Sequence, residues 1–463
     1  MLADWVEEET KSADFGDVRL DKRFKRLIAD IYDRCRNSIP AACGGWKETL
    51  AAYRFFDNKN VNLACVLSSH YDATLERIRA SNVVLIAQDT TQLAREKTKK
   101  TEVIKGIRKK ETVKTFLHAN VAFTTERVCL GVINVAHWKR EGKKDKAAQV
   151  MKPIEEKESI RWLDGYEAAC AVQAHCPDTL IVSVSDRESD IHELFLDAQT
   201  YETNTRAGWI VRSMHDRLVE DEHSHKLREY LEKTPIKGHT EFTLPANGER
   251  KSRKVKQTIQ ATVVPLKAVS RSGKELAGIN VHAILVKEPS PPEGEDAIQW
   301  VLLTNLPIDS LAEIEAIIQW YVCRWEIEIY FRVLKNGCQV QKLQLETQAR
   351  FEACLGIYMI VAWRLLCMTM LARQCPDLPC DVILDEEEWQ SLYITVKHAP
   401  PPKSPPTLNA AIEMIAKLGG YLGRKNDGPP GTKTVWIGIQ RMRDFTLAIN
   451  GFKKVSLCGE TYV

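Results

Sequence analysis

Two short apolar runs, each ending in an aspartate, constrain this chain more than any other feature. Val83 to Ala87 lead without a polar break into Gln88-Asp89-Thr90-Thr91. Leu180 to Val184 lead in the same way into Ser185-Asp186-Arg187-Glu188-Ser189-Asp190. Such runs belong to strands buried on both faces, and a sheet covered on both faces needs helices on each side. Phe116 to Phe123 and Arg127 to Trp138 read as two more strands joined by a polar turn at 124–126, and Gly208 to Arg212 as another. Helical stretches are expected at about 159–174 and through Phe195. Three neighbouring strands, a crossover helix, a fourth strand and another helix predict an α/β mixed sheet with helices on its faces. An acid just beyond a buried strand then lies at the edge that opens into a crevice.

The flanks have a different period. The first eighty residues read as helical, and Val18 to Arg34 repeat apolar positions at 20, 24, 27, 28 and 31 beneath Arg19, Lys22, Arg23, Lys25 and Arg26. A basic amphipathic helix of this kind is a candidate DNA-contacting element or an ordinary solvated face. Residues of about 215–302 carry strand-like runs at 261–266, 281–286 and 300–304 between Lys/Arg and Pro/Gly punctuation, and read as a β-rich insertion. Helical period returns over Ser310 to Gly337, with Gly337 as the expected C-cap, and continues to about 373. Pro400-Pro401-Pro402-Lys403-Ser404-Pro405-Pro406 reads as a stiff linker before a small helical C-terminal unit.

Hydrophobic residues make up 44% and charged residues 27%, which excludes a disordered, collagen-like or disulfide-stapled chain. With 65 Lys and Arg against 62 Asp and Glu, an anionic partner must be held by local patches. Two such patches stand out: Arg95, Lys97, Lys99, Lys100, Lys105, Arg108, Lys109 and Lys110, then Lys251, Arg253, Lys254 and Lys256. Each reads as a phosphate-tracking stretch or as a mobile solvated loop. The thirteen cysteines are scattered without a metal-spaced C-x-x-C pair, which fits a reduced interior. The longest apolar stretch, Leu355 to Met370, is interrupted by Arg364 and falls short of a membrane span, so no membrane association is expected. The expected setting is cytoplasmic or nucleoid-associated.

A third acid, Glu328, lies within the helical 310–336 segment. At 100° per residue, Tyr321 and Lys335 each fall within about 20° of it and Arg324 within about 40°, whereas Glu326 points about 160° away. If that helix crosses the strand ends, Asp89, Asp186 and Glu328 converge into an oxygen-donor site for Mg²⁺ or Mn²⁺. Two such ions roughly 3.5–4 Å apart serve phosphodiester displacement. Tyr, Arg and Lys around one carboxylate read as backbone-phosphate contacts. Acids after strands also serve as helix caps, and Arg324 with Glu328 is an ordinary i,i+4 pair on a surface helix.

The stretch Tyr321-Val-Cys-Arg324-Trp-Glu-Ile-Glu328-Ile-Tyr-Phe-Arg-Val-Leu-Lys335 resembles the Y-x2-R-x3-E-x6-K signature of bacterial DDE transposases of the insertion-sequence-four family. Asp89 and Asp186, the latter opening a D-R-E-x-D-I segment, match that family's two catalytic aspartates, and Glu328 its glutamate. Gly16-Asp-Val-Arg19-Leu and Ala52-Tyr53-Arg54-Phe55-Phe56 resemble its terminal DNA-binding domain, and Leu418-Gly-Gly420-Tyr with Trp436 its C-terminal segment. The resemblance implies a ribonuclease-H-like mixed-sheet core at 69–373 interrupted by the insertion at about 215–302. A helical domain at 1–68 would bind the terminal repeats, with Arg19, Lys22 and Arg26 in contact, and a helical domain at 374–463 would pair protomers.

The resemblance further implies that Arg212 contacts DNA near the active site, that Trp300 stacks on a flipped base, and that Trp325 packs beside the same DNA end. The activity implied is metal-dependent excision: a nick, a hairpin, hairpin opening, and joining of the regenerated 3′-hydroxyl to target DNA. The cofactor would be Mg²⁺, with Mn²⁺ as substitute and two ions in the active complex. The partners would be inverted-repeat ends, target DNA and a second copy of the chain in a synaptic homodimer. A catalytically impaired transposase or domesticated DNA-binding protein, and a structure-selective nuclease, are the alternatives. His118, His137 and His192 lack an adjacent nucleophile pattern and are read as structural.

Overall fold

The computed structural model describes residues 4–104, 107–140, 152–244, 252–271, 273–424 and 427–459, with backbone alone for 97–104, 107–110 and 454–459. The chain opens with helices α1 (Asp4–Glu9), α2 (Val18–Asp33), α3 (Ile39–Cys43), α4 (Trp46–Phe56) and α5 (Leu63–Arg79). Asp17 caps α2 by accepting the Arg19 amide, and Phe24, Leu27, Ile28 and Ile31 are buried on the face that their spacing predicts.

The central sheet is built from β1 (Val83–Ile104), β2 (Ile107–Thr124), β3 (Cys129–Trp138), β4 (Leu180–Ser185) and β5 (Gly208–Arg212). β1 to β3 are antiparallel, and β4 and β5 run parallel to β1. Helices α6 (Ile160–His175) and α7 (His192–Thr200) make the crossovers. Leu85 and Ala87 enter one hydrophobic core and Val84 and Ile86 the other, which is why this run carries no polar residue.

Further along come α8 (Leu227–Glu232), β6 (Ile236–Leu244), β7 (Arg253–Leu266), a small ribbon of β8 (Val269–Arg271) and β9 (Lys274–Leu276), β10 (Ile279–Lys287) and β11 (Gln299–Thr304). Apart from the ribbon, the insertion's strands extend the same sheet. Among the described residues that sheet has nine strands in the order β3-β2-β1-β4-β5-β11-β10-β7-β6. β11 docks antiparallel on β5, with Leu302 opposite Arg212.

Four expectations need correction. β1 does not end at Asp89: it loses β4 after Ala87 but continues against β2 to Ile104, whose ladder supplies its hydrogen bonds. Apart from Lys105, which lies outside the described residues, the first basic patch therefore runs along a hairpin arm, and Arg95 is buried in it with its guanidinium 3.4 Å from the centre of the Phe351 ring. The helix expected over 310–336 is broken into α9 (Leu311–Cys323), α10 (Glu326–Arg332) and a π-helical turn at Val333–Gly337. The amides of Arg324, Trp325, Ile327 and Glu328 bond three residues back, tightening the break, and Cys338 bonds five back to Val333, so Gly337 is not the cap. Lastly, the proline run lies inside the C-terminal unit, between α12 and α13, whose ranges follow.

Helix α11 (Gln348–Gln374) is long and apolar enough by composition to span a membrane, unlike the shorter stretch read from sequence. Of its most apolar window, 83% is buried within the protein, so it serves as the central core helix. Tyr32 of α2 donates to the Met368 sulfur at 3.2 Å, and Arg77 of α5 lies 4.1 Å over Trp363. The C-terminal helices α12 (Glu386–Lys397), α13 (Leu408–Leu418) and α14 (Thr432–Gly459) pack together. Arg443 of α14 pairs with Glu388 of α12 and lies 3.5 Å from Asp33 of α2.

Candidate active site

Strand register brings the two aspartates together. Ala87 is aligned with Val184 on the neighbouring parallel strand. Two residues beyond that pair stand Asp89, still within β1, and Asp186, one residue past the end of β4, close enough that Asp186 adds to the upward push on the Asp89 carboxyl. Asp89 Oδ1 accepts the Thr90 amide at 2.7 Å. Asp186 Oδ1 accepts the Glu188 amide at 2.8 Å, so this acid caps the turn that follows with one of its oxygens. Beside Asp89, Gln88 donates to Ser183 Oγ at 2.7 Å. Gly165 of α6 packs here because a Cβ would collide with the side chains of Gln88 and Asn120.

Arg324, at the helix break, joins two of the three acids. Its Nη1 donates to Asp89 Oδ2 at 3.2 Å and its Nη2 to Glu328 Oε1 at 3.1 Å. The guanidinium is only 7% exposed, whereas the Asp89 and Glu328 side chains are 20% and 39% exposed. Its Nε is buried without an acceptor. Burial pushes the Asp89 carboxyl up to about 6; Arg324 and the Thr90 amide oppose this, and Asp186 and Glu328 add to it. Burial works against the Arg324 charge, but Tyr321, Asp89, Asp186 and Glu328 hold it above its ordinary pKa. Burial lowers the Lys335 ammonium while Asp89 pulls it back, and burial raises the Tyr321 hydroxyl against Arg324 and Arg212. Asp89, Asp186, Glu328, Tyr321, Arg324, Lys335 and Arg212 thus form one electrostatic neighbourhood.

The three acids offer oxygen donors only, the set that hard divalent cations take. As placed, no three such groups among the described residues enclose an ion, and Arg324 occupies the space between two of them. Its guanidinium supplies the positive charge that three neighbouring carboxylates require.

The remaining predicted residues divide. Trp300 of β11 lies between Phe242, stacked at 6.3 Å, and Tyr321 at 6.1 Å. Trp325 is 52% exposed with Arg324 5.1 Å from its ring centre. Glu326 turns away from the site, buried and paired with Arg127 at 3.5 Å. Arg19, Lys22 and Arg26 lie apart on α2, Arg19 bonded to Asp17 and Arg26 to Asp30, all three exposed. In the second basic patch Arg253 is paired with Glu288 and Glu295, and Lys254 with Glu241. Arg253 is thus a fold-stabilising group, because its fork is filled by two acids, and Lys251 lies outside the described residues. The three histidines are engaged with Thr90, Glu352 and the Ala277 carbonyl.

Sequence reasoning missed Asp190. Its buried carboxylate accepts the Met214 and His215 amides at 2.8 and 2.9 Å and the Arg217 guanidinium, which anchors the segment leaving β5. The second acid of D-R-E-x-D-I was the available signal. Phe242, which stacks on Trp300, had none, because the two lie on strands that do not pair and are distant in the chain.

Comparison with known families covers most of the chain. Residues 2–61 match the family described as Transposase DNA-binding, 73–364 the Transposase DDE domain, and 360–458 the Transposase Tn5 dimerisation domain. Among solved structures, similarity is found to the piggyBac transposase synaptic complex with hairpin DNA, determined by cryo-EM. The two are 10% identical with a TM-score of 0.31, over 79% of this chain and 67% of that one, a likeness too distant to carry an argument. DNA-binding, catalytic and dimerisation modules follow one another here in a single polypeptide, over a mixed sheet of ribonuclease-H type. The chain belongs to the DDE-type transposases related to the Tn5/IS4 family, enzymes that nick DNA and transfer its strands.

Proposed function

We propose that this transposase excises its element by a nick, a hairpin, hairpin opening and strand transfer, using Asp89, Asp186 and Glu328 as the catalytic acids. The observation that carries the reading is the placement of Asp89 within β1 and Asp186 just past the end of the adjacent parallel strand β4, with Glu328 tied to Asp89 through Arg324. The three acids would hold Mg²⁺, or Mn²⁺ in its place, which supplies Lewis-acid stabilisation of the charge developing on the phosphoryl oxygens.

Each step exchanges one P–O bond for another. A water oxygen bonds to phosphorus and the 3′-oxygen leaves as a hydroxyl. That hydroxyl attacks the opposite strand to close a hairpin and release the flank. A second water reopens the hairpin, and the regenerated 3′-hydroxyl attacks target DNA. Arg324 and Lys335 offer a fork and a mobile ammonium to the end's backbone phosphates, with Tyr321 and Arg212 beside them. Trp300 offers its ring to an extruded base, exchanging Phe242 stacking for base stacking worth about 1–3 kcal/mol.

In this reading residues 1–68 grip the inverted repeat through Arg19, Lys22 and Arg26, residues 69–373 catalyse, and residues 374–463 pair two protomers on bacterial nucleoid DNA. Phe445 and Phe452 on α14 are exposed, fall within about 20° of one another around the helix, and supply an apolar face for that pairing. The test is cleavage with Mg²⁺ of labelled duplexes carrying the terminal repeats that flank the gene. Asp186→Ala should lose about 10³-fold or more in nicking, the equivalent of about 4 kcal/mol, while retaining end binding. End-specific nicking by Asp186→Ala at the native rate overturns the assignment.

A further inference from the structure

Behind Asp89, on the reverse face of the sheet, an otherwise apolar core carries a patch of buried polar side chains. Leu85 and Ala87 enter the core that holds Tyr321 and Ile327, whereas Val84 and Ile86 enter the core that holds Trp162 and Tyr166 of α6. Side chains alternate along a strand, so Asp89 continues the first face and Gln88 and Thr90 the second. On β2 Asn120 stands opposite Gln88, and His118 opposite Thr90. Gln88 donates to Ser183, Asn120 donates to the Gly165 carbonyl at 3.1 Å, and His118 Nδ1 lies 2.9 Å from Thr90 Oγ1.

His118 is the costly member of this group. Its ring is 1% exposed, packs edge-on to Trp162 at 4.8 Å, and buries Nε2 without a hydrogen-bond partner. A phenyl ring would fill the same space without an unmatched nitrogen, a penalty of about 1–3 kcal/mol. Packing alone therefore does not account for an imidazole here, and Thr90 is the partner its other nitrogen has. Thr90 stands where β1 has lost a neighbour, because β4 pairs with it no further than Ala87. Its amide donates to Asp89 Oδ1 at 2.7 Å. Thr90 thus holds the carboxylate by its amide and is itself held by its hydroxyl. Threonine is stiff about its first side-chain bond, so fixing the hydroxyl also fixes the direction of the amide.

We infer that His118 is a positioning residue for phosphodiester cleavage: through Thr90 its Nδ1 sets the direction in which Asp89 presents its carboxylate. From the reverse face of the sheet it touches neither DNA nor the reacting atoms. Hydrogen bonds that orient a metal-binding group carry about 10–100-fold in metal affinity or activity. The inference rests on the transposase reading, because Asp89 needs a fixed direction only where it does chemistry.

Three variants of the full chain separate this role from packing. His118→Phe keeps a ring against Trp162 and removes the nitrogen. His118→Asn keeps a polar atom at the Nδ1 position and removes the ring, and Thr90→Val removes the hydroxyl at nearly constant shape. The measurements are single-turnover nicking of terminal-repeat duplexes, end binding, Mn²⁺ binding to the DNA-free protein by electron paramagnetic resonance, and urea unfolding, with nicking scaled to the folded fraction. His118→Phe should nick about 10–100-fold more slowly and bind Mn²⁺ more weakly, at native end affinity. His118→Asn should nick within about threefold of native protein although it unfolds more readily. Thr90→Val should match His118→Phe, and the double variant should lose less than about twofold more, because both substitutions remove one bond. Rates that follow stability, with His118→Asn slower than His118→Phe, or losses that multiply in the double variant, make His118 a packing residue and overturn the inference. Native nicking with His118→Phe and Thr90→Val at the native rate condemns this role alone, whereas native protein that never nicks condemns the transposase reading and this role with it.

Discussion

Two buried arginines, one at the proposed catalytic carboxylates and one where the first and last helical units meet, solve the same electrostatic problem with opposite consequences. Arg324 bridges Asp89 and Glu328, acids that keep 20% and 39% of their side-chain exposure. Arg443 pairs with Glu388, which keeps 4%, sits near Asp33, and lies 4.6 Å over the Tyr32 ring. Burial pushes the Glu388 carboxyl up against the pull of Arg443, so that pair is a closed lock. At the catalytic site the acids remain open to solvent, and a cation arriving there can take over the arginine's role. The difference shows that exposure of the partners, more than burial of the arginine, separates an exchangeable charge from a permanent one.

Removing the lock should have the largest effect. Arg443→Ala leaves Glu388 buried without its counter-charge and should cost about 3–5 kcal/mol in urea unfolding, with no recovery on adding Mn²⁺. Arg324→Gln should cost about 2 kcal/mol in the metal-free protein, because its acids are partly solvated. Here Mn²⁺ should restore stability and raise the melting temperature more than it does in the native chain. Equal Mn²⁺ responses in variant and native protein would show that Arg324 does not compete with the cation.

The smallest effect concerns β2 opposite Thr90, where burial, aided by Arg161, depresses the His118 pKa from 6.5 to about 3. Above pH 6.5 this ring is neutral in both states. As the pH falls below that, the unfolded chain takes up a proton that the folded one refuses, so stability drops. Between pH 6.5 and 5 native protein should lose about 1.6 kcal/mol relative to His118→Gln. Parallel pH profiles would mean that the ring is charged in the fold.

What could be read from the amino acids follows the range of the interactions involved. The aspartates are legible because each terminates a run buried on both faces, and Glu326 was set aside by helical period alone, as its pairing with Arg127 agrees. The break at Arg324 was not legible, since it rests on a tight turn and a wide one imposed where the helix meets β1 and α11. Nor was the joining of β11 to β5, because strand pairing between distant segments leaves no local periodicity. Arg95 read as a phosphate contact because its burial depends on Phe351, far along the chain.

The all-buried character of α11 also sets an order of assembly during synthesis. Helices α2 and α5 rest on it through Tyr32 and Arg77, and β3 is held by Trp363 Nε1 donating to the Cys129 carbonyl at 3.0 Å. At about 5–20 residues per second, a growing chain displays the apolar faces of its DNA-binding helices for many seconds before residue 374 emerges. A chain released before then would present a sticky and unfinished DNA-binding unit, because the surface that covers those helices lies in α11.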